Sequence, residues 1–211
     1  MGKRRHSTHQ LHRRKPYREP RKRFLVVCGG SVTEPSYFEG VKQKVRDRLI
    51  KLDVVAGTRA PGDIVTKAIR LNNEANARAD DDFDRFDAVW CVFDKDQFDI
   101  RPAMQAARAN GVSTAISNPC FELWLLLHFQ EQEANISATQ ARRLCQRYLR
   151  DYDKRVDIDH IWELLRFAME RAEALDALHS RNGNPGANPS TNVHELMSQI
   201  EQSQLRIHSR H

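Results

Sequence analysis

The chain has 211 residues and a mass of 24.4 kDa, a length that suits one compact domain or one domain with a small helical annex. Its 40% apolar and 29% charged content is that of a globular protein. Apolar runs such as Leu123 to Leu127 fall far short of the roughly 18 residues a membrane span needs. No apolar stretch follows the basic first residues, so no secretory leader is expected and the expectation is a soluble, cytoplasmic protein.

The formal charge of +6 is uneven. Residues 1–23 hold ten Lys or Arg against a single acid, Glu19, while the rest of the chain is mildly acidic. This arm also carries Pro16 and Pro20 and almost nothing apolar, so it is expected to be a disordered basic arm without a core of its own. Such a tail either binds a polyanion through counterion release or merely keeps the protein in solution. The four cysteines, Cys28, Cys91, Cys120 and Cys145, form no CxxC pair and have no histidine at zinc-finger spacing. They read as reduced core thiols of a reducing compartment.

In chain order, Phe24 to Cys28 is a continuous apolar run, as expected of a strand buried on both faces. It stops at Gly29-Gly30. Thr33 is the expected N-cap of a helix with Pro35 in its first turn, running to about Ile50. Leu52 to Ala56 reads as a second strand, and Asp63 as the cap of a second helix bearing Ile64, Ala68 and Leu71 on one face. An acidic connector, Ala79 to Asp84, precedes a third buried strand, Asp87 to Phe93. A helix over Ile100 to Asn110 then closes at Gly111. Val112 to Ile116 is the fourth strand, and Asn118-Pro119 leads into an apolar helix, Phe121 to Phe129. From Ser137 onward the pattern is helical only: Ala138 to Tyr152, Ile161 to His179 and Val193 to about Ile207, with a turn-rich break at Arg181 to Thr191. Strand–helix alternation of this kind predicts an α/β fold, a parallel sheet flanked by helices, with a helical C-terminal portion. The expected organisation is an arm over 1–23, an α/β core over 24–130 and a helical portion over 131–211 packed on it.

In such sheets, ligands gather at the carboxyl ends of the strands. The first strand ends in Gly29 to Glu34 and the third in Asp94-Lys95-Asp96. Residues i and i+2 of an extended backbone share a side, so Asp94 and Asp96 aim together and Lys95 faces away. With Glu34 they offer hard oxygen ligands for Mg2+ or Mn2+. An Asp-x-Asp after a strand also serves simply as a turn. The first turn lacks GK[ST] and GxGxxG is absent, which argues against a nucleotide cradle. Ser31 lies in no G-x-S-x-G nucleophile turn.

Glu122, at the start of an apolar helix, reads as a ligand or as a first-turn acid favoured by the helix dipole. His128 reads as a core histidine. Lys95 is a candidate phosphate contact or a solvated loop cation, and His194 a phosphate-site residue or a stabiliser of its helix start. Arg142, Arg143, Arg147 and Arg150 form a stripe near i, i+4, i+8 spacing, either a wet face or a contact for RNA.

Four blocks run in order along the chain: FLVVCGGSVTEPSYFEG from Phe24, VFDKDQF from Val92, SNPCFELWLLLHF from Ser117 and NPSTNVHEL from Asn188. Together they resemble the RloB family, small bacterial proteins encoded with ATPase partners in anti-phage loci, whose core is similar to the TOPRIM fold of topoisomerases and primases. The resemblance implies Mg2+- or Mn2+-dependent phosphodiester cleavage, with Asp94 and Asp96 matching the metal-holding DxD and Glu34 as metal ligand or base. Glu122 is a further candidate ligand. Lys95, His194, Arg142 and Arg143 are candidate substrate contacts. The implied partners are RNA, with tRNA named by analogy, or DNA, and an ATPase of the same locus; a homo-oligomer is compatible with this. The first motif departs from the family, which usually reads CEG where this chain has Cys28-Gly29-Gly30. The expected glutamate is therefore Gly29. That leaves two rival expectations: a catalytically impaired nucleic-acid-binding or regulatory subunit, and a plain RNA-binding protein.

Overall fold

The computed structural model describes residues 22–45, 50–57, 60–79, 84–95, 98–149 and 152–208, with side chains described as far as residue 205. The arm over 1–21 and Asp96 lie outside the described residues, as does Arg150.

The alternating halves of two strands decide the layers. β1 (Lys22–Cys28) sends Phe24, Val26 and Cys28 into one core and Leu25 and Val27 into another. β3 (Ala88–Asp94) does the same with Trp90 and Val92 against Val89, Cys91 and Phe93. Both strands are thus covered on both faces, which is why they read as unbroken apolar runs. β2 (Ile50–Ala56), β1, β3 and β4 (Ser113–Asn118) lie parallel in that order, and β5 (Ser190–Thr191) adds an antiparallel edge to β4. Helices α2 (Pro61–Arg78) and α3 (Arg101–Ala109) cover one face. α1 (Thr33–Lys44), α4 (Glu122–Leu127), α5 (Ala138–Tyr148), α7 (Leu165–Arg181) and α8 (Val193–His208) share the core of the other, beside the short α6 (Ile158–Ile161) and a 3-10 turn over Trp162–Leu164. The expected α/β architecture with a helical C-terminal region is observed. Among the described residues no helix is long and apolar enough to cross a membrane.

Several boundaries differ from expectation, each for a local reason. Lys22 and Arg23 belong to β1 rather than to the arm. Lys22 pairs with Asp87 at 2.5 Å, and Arg23 pairs with Asp53 at 3.0 Å. The N-cap of α1 is Val32, with Thr33 as its first helical residue, and the helix ends at Lys44, well before Ile50 opens β2. Helix α2 begins at Pro61, whose fixed φ suits a first turn, so Asp63 lies within that turn and does not cap it. The helix expected over Ala138 to Tyr152 stops at Tyr148, and the one expected over Ile161 to His179 breaks into α6, the 3-10 turn and α7. Gly111, at φ +67, follows the end of α3 as expected.

The region after Ser137 is not wholly helical. Asn192 does the work of a strand partner with its side chain, accepting from Ile116 N at 2.6 Å and donating to Thr114 O at 2.9 Å. The hydroxyls of Ser117 and Thr191 pair at 2.9 Å beside it. Asn188 makes a similar two-way bond to the backbone of Ile136, at 3.0 and 2.8 Å. Two residues of β-bridge, too short to give a periodic signal, thereby become part of the sheet.

Candidate functional site

With strand order β2-β1-β3-β4, the connections leave β1 toward one edge and β3 toward the other. The crevice at their carboxyl ends is the switch point where such folds bind ligands. A cleft of about 480 Å3 lies there, lined by Gly29 to Glu34, Asp94, Phe98, Pro119 to Glu122, Arg142 and Lys154, among others.

Three acids reach it from three elements. Glu34 sits in the first turn of α1, 6% exposed, and its Oε1 accepts from Gly30 N at 2.9 Å. That closure requires glycine: a Cβ on Gly30 would lie 1.9 Å from Glu34 Oε2. Burial pushes the Glu34 carboxyl above its ordinary value. Its backbone hydrogen bonds oppose that rise, nearby Glu122 adds to it, and Lys154 lowers it. Asp94 is the last residue of β3, half-buried, and close enough to raise the Cys120 thiol. Glu122 opens α4, 4% exposed. Arg142 Nε and the Tyr152 hydroxyl donate to its Oε1 at 3.3 and 3.4 Å.

The C-terminal helical region therefore completes this cleft. α5 packs on α4, with Cys145 Sγ donating to Glu122 O at 3.2 Å, and so delivers Arg142. The segment after α5 brings Tyr152 and Lys154, tied to α1 where Ser36 Oγ accepts from Val156 N at 3.0 Å. Lys154 holds φ +80, a left-handed conformation uncommon outside glycine, and lines the cleft. Sequence reasoning missed Tyr152 and Lys154. No spacing announces a residue placed by an irregular loop.

The structure brings together Glu34, Asp94, Glu122 and Arg142, and leaves other expected site residues elsewhere. Asp96 lies outside the described residues. Lys95 turns away, as the alternation required, and its Nζ donates to Gly186 O at 3.3 Å. It lines a second cleft of about 500 Å3 at the β4–β5 edge, with Asn118, Asp176, Ser180 and Asn192. His194 is buried beside Asp176 in that region and does not line the first cleft. Arg143 is exposed and lines neither cleft. His128 is a core residue. Its Nδ1 meets Trp124 O at 3.0 Å, its ring packs edge-on against Trp124 and Tyr37, and burial lowers its pKa to about 4.

Gly29 sits on the opposite side of the strand end. A Cβ there would lie 2.9 Å from Ile64 Cδ1 and 3.2 Å from Phe93 Cβ, both on the α2 side of the sheet. All four cysteines are buried and free. Burial raises each thiol, that of Cys91 up to about 12, so none is set up as a nucleophile.

The donors of the first cleft are carboxylate oxygens, a hard set that suits Mg2+ or Mn2+. The buried charges of Glu34 and Glu122 repel each other, a repulsion that a bound cation would relieve. In this arrangement Glu34, Asp94 and Glu122 do not close to within 4.8 Å of one another. Among the described residues the trio that does is Asp176, His194 and Glu195.

A family model described as RloB-like protein matches residues 24–200. No curated protein and no solved structure gives a match.

Proposed function

The chain belongs to the RloB-like family, and we propose that it is a divalent-metal-dependent nuclease subunit cutting phosphodiester bonds of RNA, tRNA first among the substrates to test. Its setting on this reading is an anti-phage system in which it works with a partner ATPase. The supporting observation is the convergence of Glu34, Asp94 and Glu122 on one cleft at the β1/β3 switch point.

Glu34 and Asp94 would hold Mg2+ or Mn2+, with Asp96 two residues further on. Such an ion, when bound, polarises a phosphoryl oxygen and makes a bound water more acidic. The chain's own residues do the rest. Gly30 N holds the Glu34 carboxylate in place, and its raised pKa suits a group that also exchanges a proton. Arg142 and Lys154 bring positive charge to the cleft for a phosphodiester backbone, Arg142 being oriented by Glu122. Glu122 is thus a positioning residue before it is a ligand. The basic arm supplies affinity independent of sequence.

One observation favours a second reading, a nucleic-acid-binding subunit with impaired chemistry. Where the family motif carries a glutamate, this chain has Gly29, packed against Ile64.

Purified full-length protein incubated with total tRNA, single-stranded RNA and plasmid DNA, in Mg2+, Mn2+ or EDTA, tests both. The control is an Asp94→Asn, Asp96→Asn double variant. Metal-dependent cutting that the variant lacks is expected, and equal cutting by the variant overturns the nuclease reading. Absence of cutting by either, with and without the ATPase, together with retained RNA binding, selects the second reading.

A further inference from the structure

The NPSTNVHEL block ends in a cluster that the cleft chemistry does not use. His194, in the first turn of α8, has a side chain only 9% exposed. Its Nδ1 lies 3.2 Å from Thr191 O. A carbonyl oxygen only accepts, so Nδ1 carries the hydrogen, which leaves Nε2 as the ring atom available to a metal. Nε2 has no hydrogen-bond partner among the described residues. It faces Asp176 Oδ2 of α7, 3.6 Å away, an ion pair when the ring is protonated and a pair of ligand atoms when it is not. Glu195 adds a third donor, and one ligand atom from each residue lies within 4.8 Å of the others.

A metal cation between these three ligand atoms would engage all of them at once. The spacing is close to that of two ligands on a tetrahedral ion with metal–ligand bonds of about 2.0–2.1 Å. The remaining features match a metal site as well. A ligating histidine ordinarily donates its other N–H to a carbonyl or carboxylate, and Thr191 O occupies that position. Asn192 Nδ2 donates to Glu195 Oε2 at 3.4 Å, restraining the third ligand.

We propose that Asp176, His194 and Glu195 form a transition-metal site of the Zn2+ class joining α7 to α8. It stands independently of the nuclease reading. An imidazole with two carboxylates discriminates against Mg2+, which prefers an all-oxygen shell. Three protein donors leave a position for water or an anionic group. Asp176 also lines the second cleft, which makes that position reachable from solvent.

The test is a Zn2+ titration of chelator-stripped, full-length protein in excess Mg2+, read by competition with a chromophoric chelator. One Zn2+ per chain is expected. Asp176→Asn and His194→Gln should each weaken it at least about tenfold, while Glu34→Gln leaves it unchanged. His6, His9 and His12 in the arm are an alternative source of zinc ligands, so a variant with all three changed to Ala is titrated alongside and should still bind. X-ray absorption at the zinc edge of the wild type, which needs no variant to fold, should show a single imidazole with oxygen ligands. Absence of saturable binding overturns the proposal. So does binding that survives His194→Gln, binding lost with the arm histidines, or binding lost in Glu34→Gln.

Discussion

Two clefts open on the sheet, and they are built differently. The cleft at β1 and β3 takes its acids from the first turn of α1, the end of β3 and the start of α4, and its cations from the C-terminal helical region. The cleft at the β4–β5 edge is lined by Ile100, Met104, Ile116 and Pro185 together with amides and hydroxyls, with Lys95 bound to Gly186 O and Asp176 facing a buried histidine. The first concentrates negative charge where the parallel sheet diverges, so a hard cation and a phosphate suit it. The second is built around a two-residue strand that holds the C-terminal region to the sheet. Adjacent residues serve opposite ends: Asp94 faces one cleft and Lys95 the other.

The most direct way to break this division is to neutralise one cleft and assay the other. Asp94→Asn is expected to reduce metal-dependent cleavage roughly a hundredfold or more, whereas Asp176→Asn should leave cleavage near wild type. Equal losses in gel-based assays would mean the clefts act as one site. Next in size, Asn192→Ala strands Ile116 N and Thr114 O. It should cost about 2–3 kcal/mol in urea unfolding while leaving Mn2+ binding intact.

Gly29→Glu sharpens the comparison from inside the sheet. Its first carbon meets Ile64 Cδ1, so the substitution should cost about 1–3 kcal/mol of stability, and adding Ile64→Val should restore part of it. Cleavage measured in that double variant then reports whether the native glycine limits the chemistry.

The smallest effect is one of pH. Glu34 has a raised folded pKa, so above its ordinary value of 4.5 the unfolded chain loses this proton more readily than the folded one. Wild type should therefore lose stability relative to Glu34→Gln as pH rises from about 4.5. His128 acts oppositely, with stability falling as pH drops from 6.5 toward about 4, and it cancels in the difference. Parallel stability–pH curves for the two proteins would contradict the assignment of Glu34 as a desolvated carboxylate.

What the sequence reveals about this molecule follows the reach of its signals. Phe24 to Cys28 and Val89 to Phe93 are legible because burial on both faces leaves them apolar throughout. Gly29-Gly30 and Asp94 are legible because parallel strands present their carboxyl ends to ligands. Glu122 stands out as an acid against Leu123 to Leu127, all buried. Tyr152 and Lys154 were not legible, since a loop after α5 places them. Nor was β5, where Asn192 substitutes a side chain for backbone pairing. The block containing His194 was recognised, but its position relative to the first cleft depended on the path of the chain through Gly183 and Gly186, both at φ +71.

The central claim is that the β1/β3 carboxylates hold the divalent ion, and Mn2+ binding followed by electron paramagnetic resonance addresses it without depending on substrate or partner. With Zn2+ present to fill the second site, wild type and Asp176→Asn should bind Mn2+ alike, and Glu34→Gln with Asp94→Asn should lose it. Undiminished Mn2+ binding in that double variant would contradict the account.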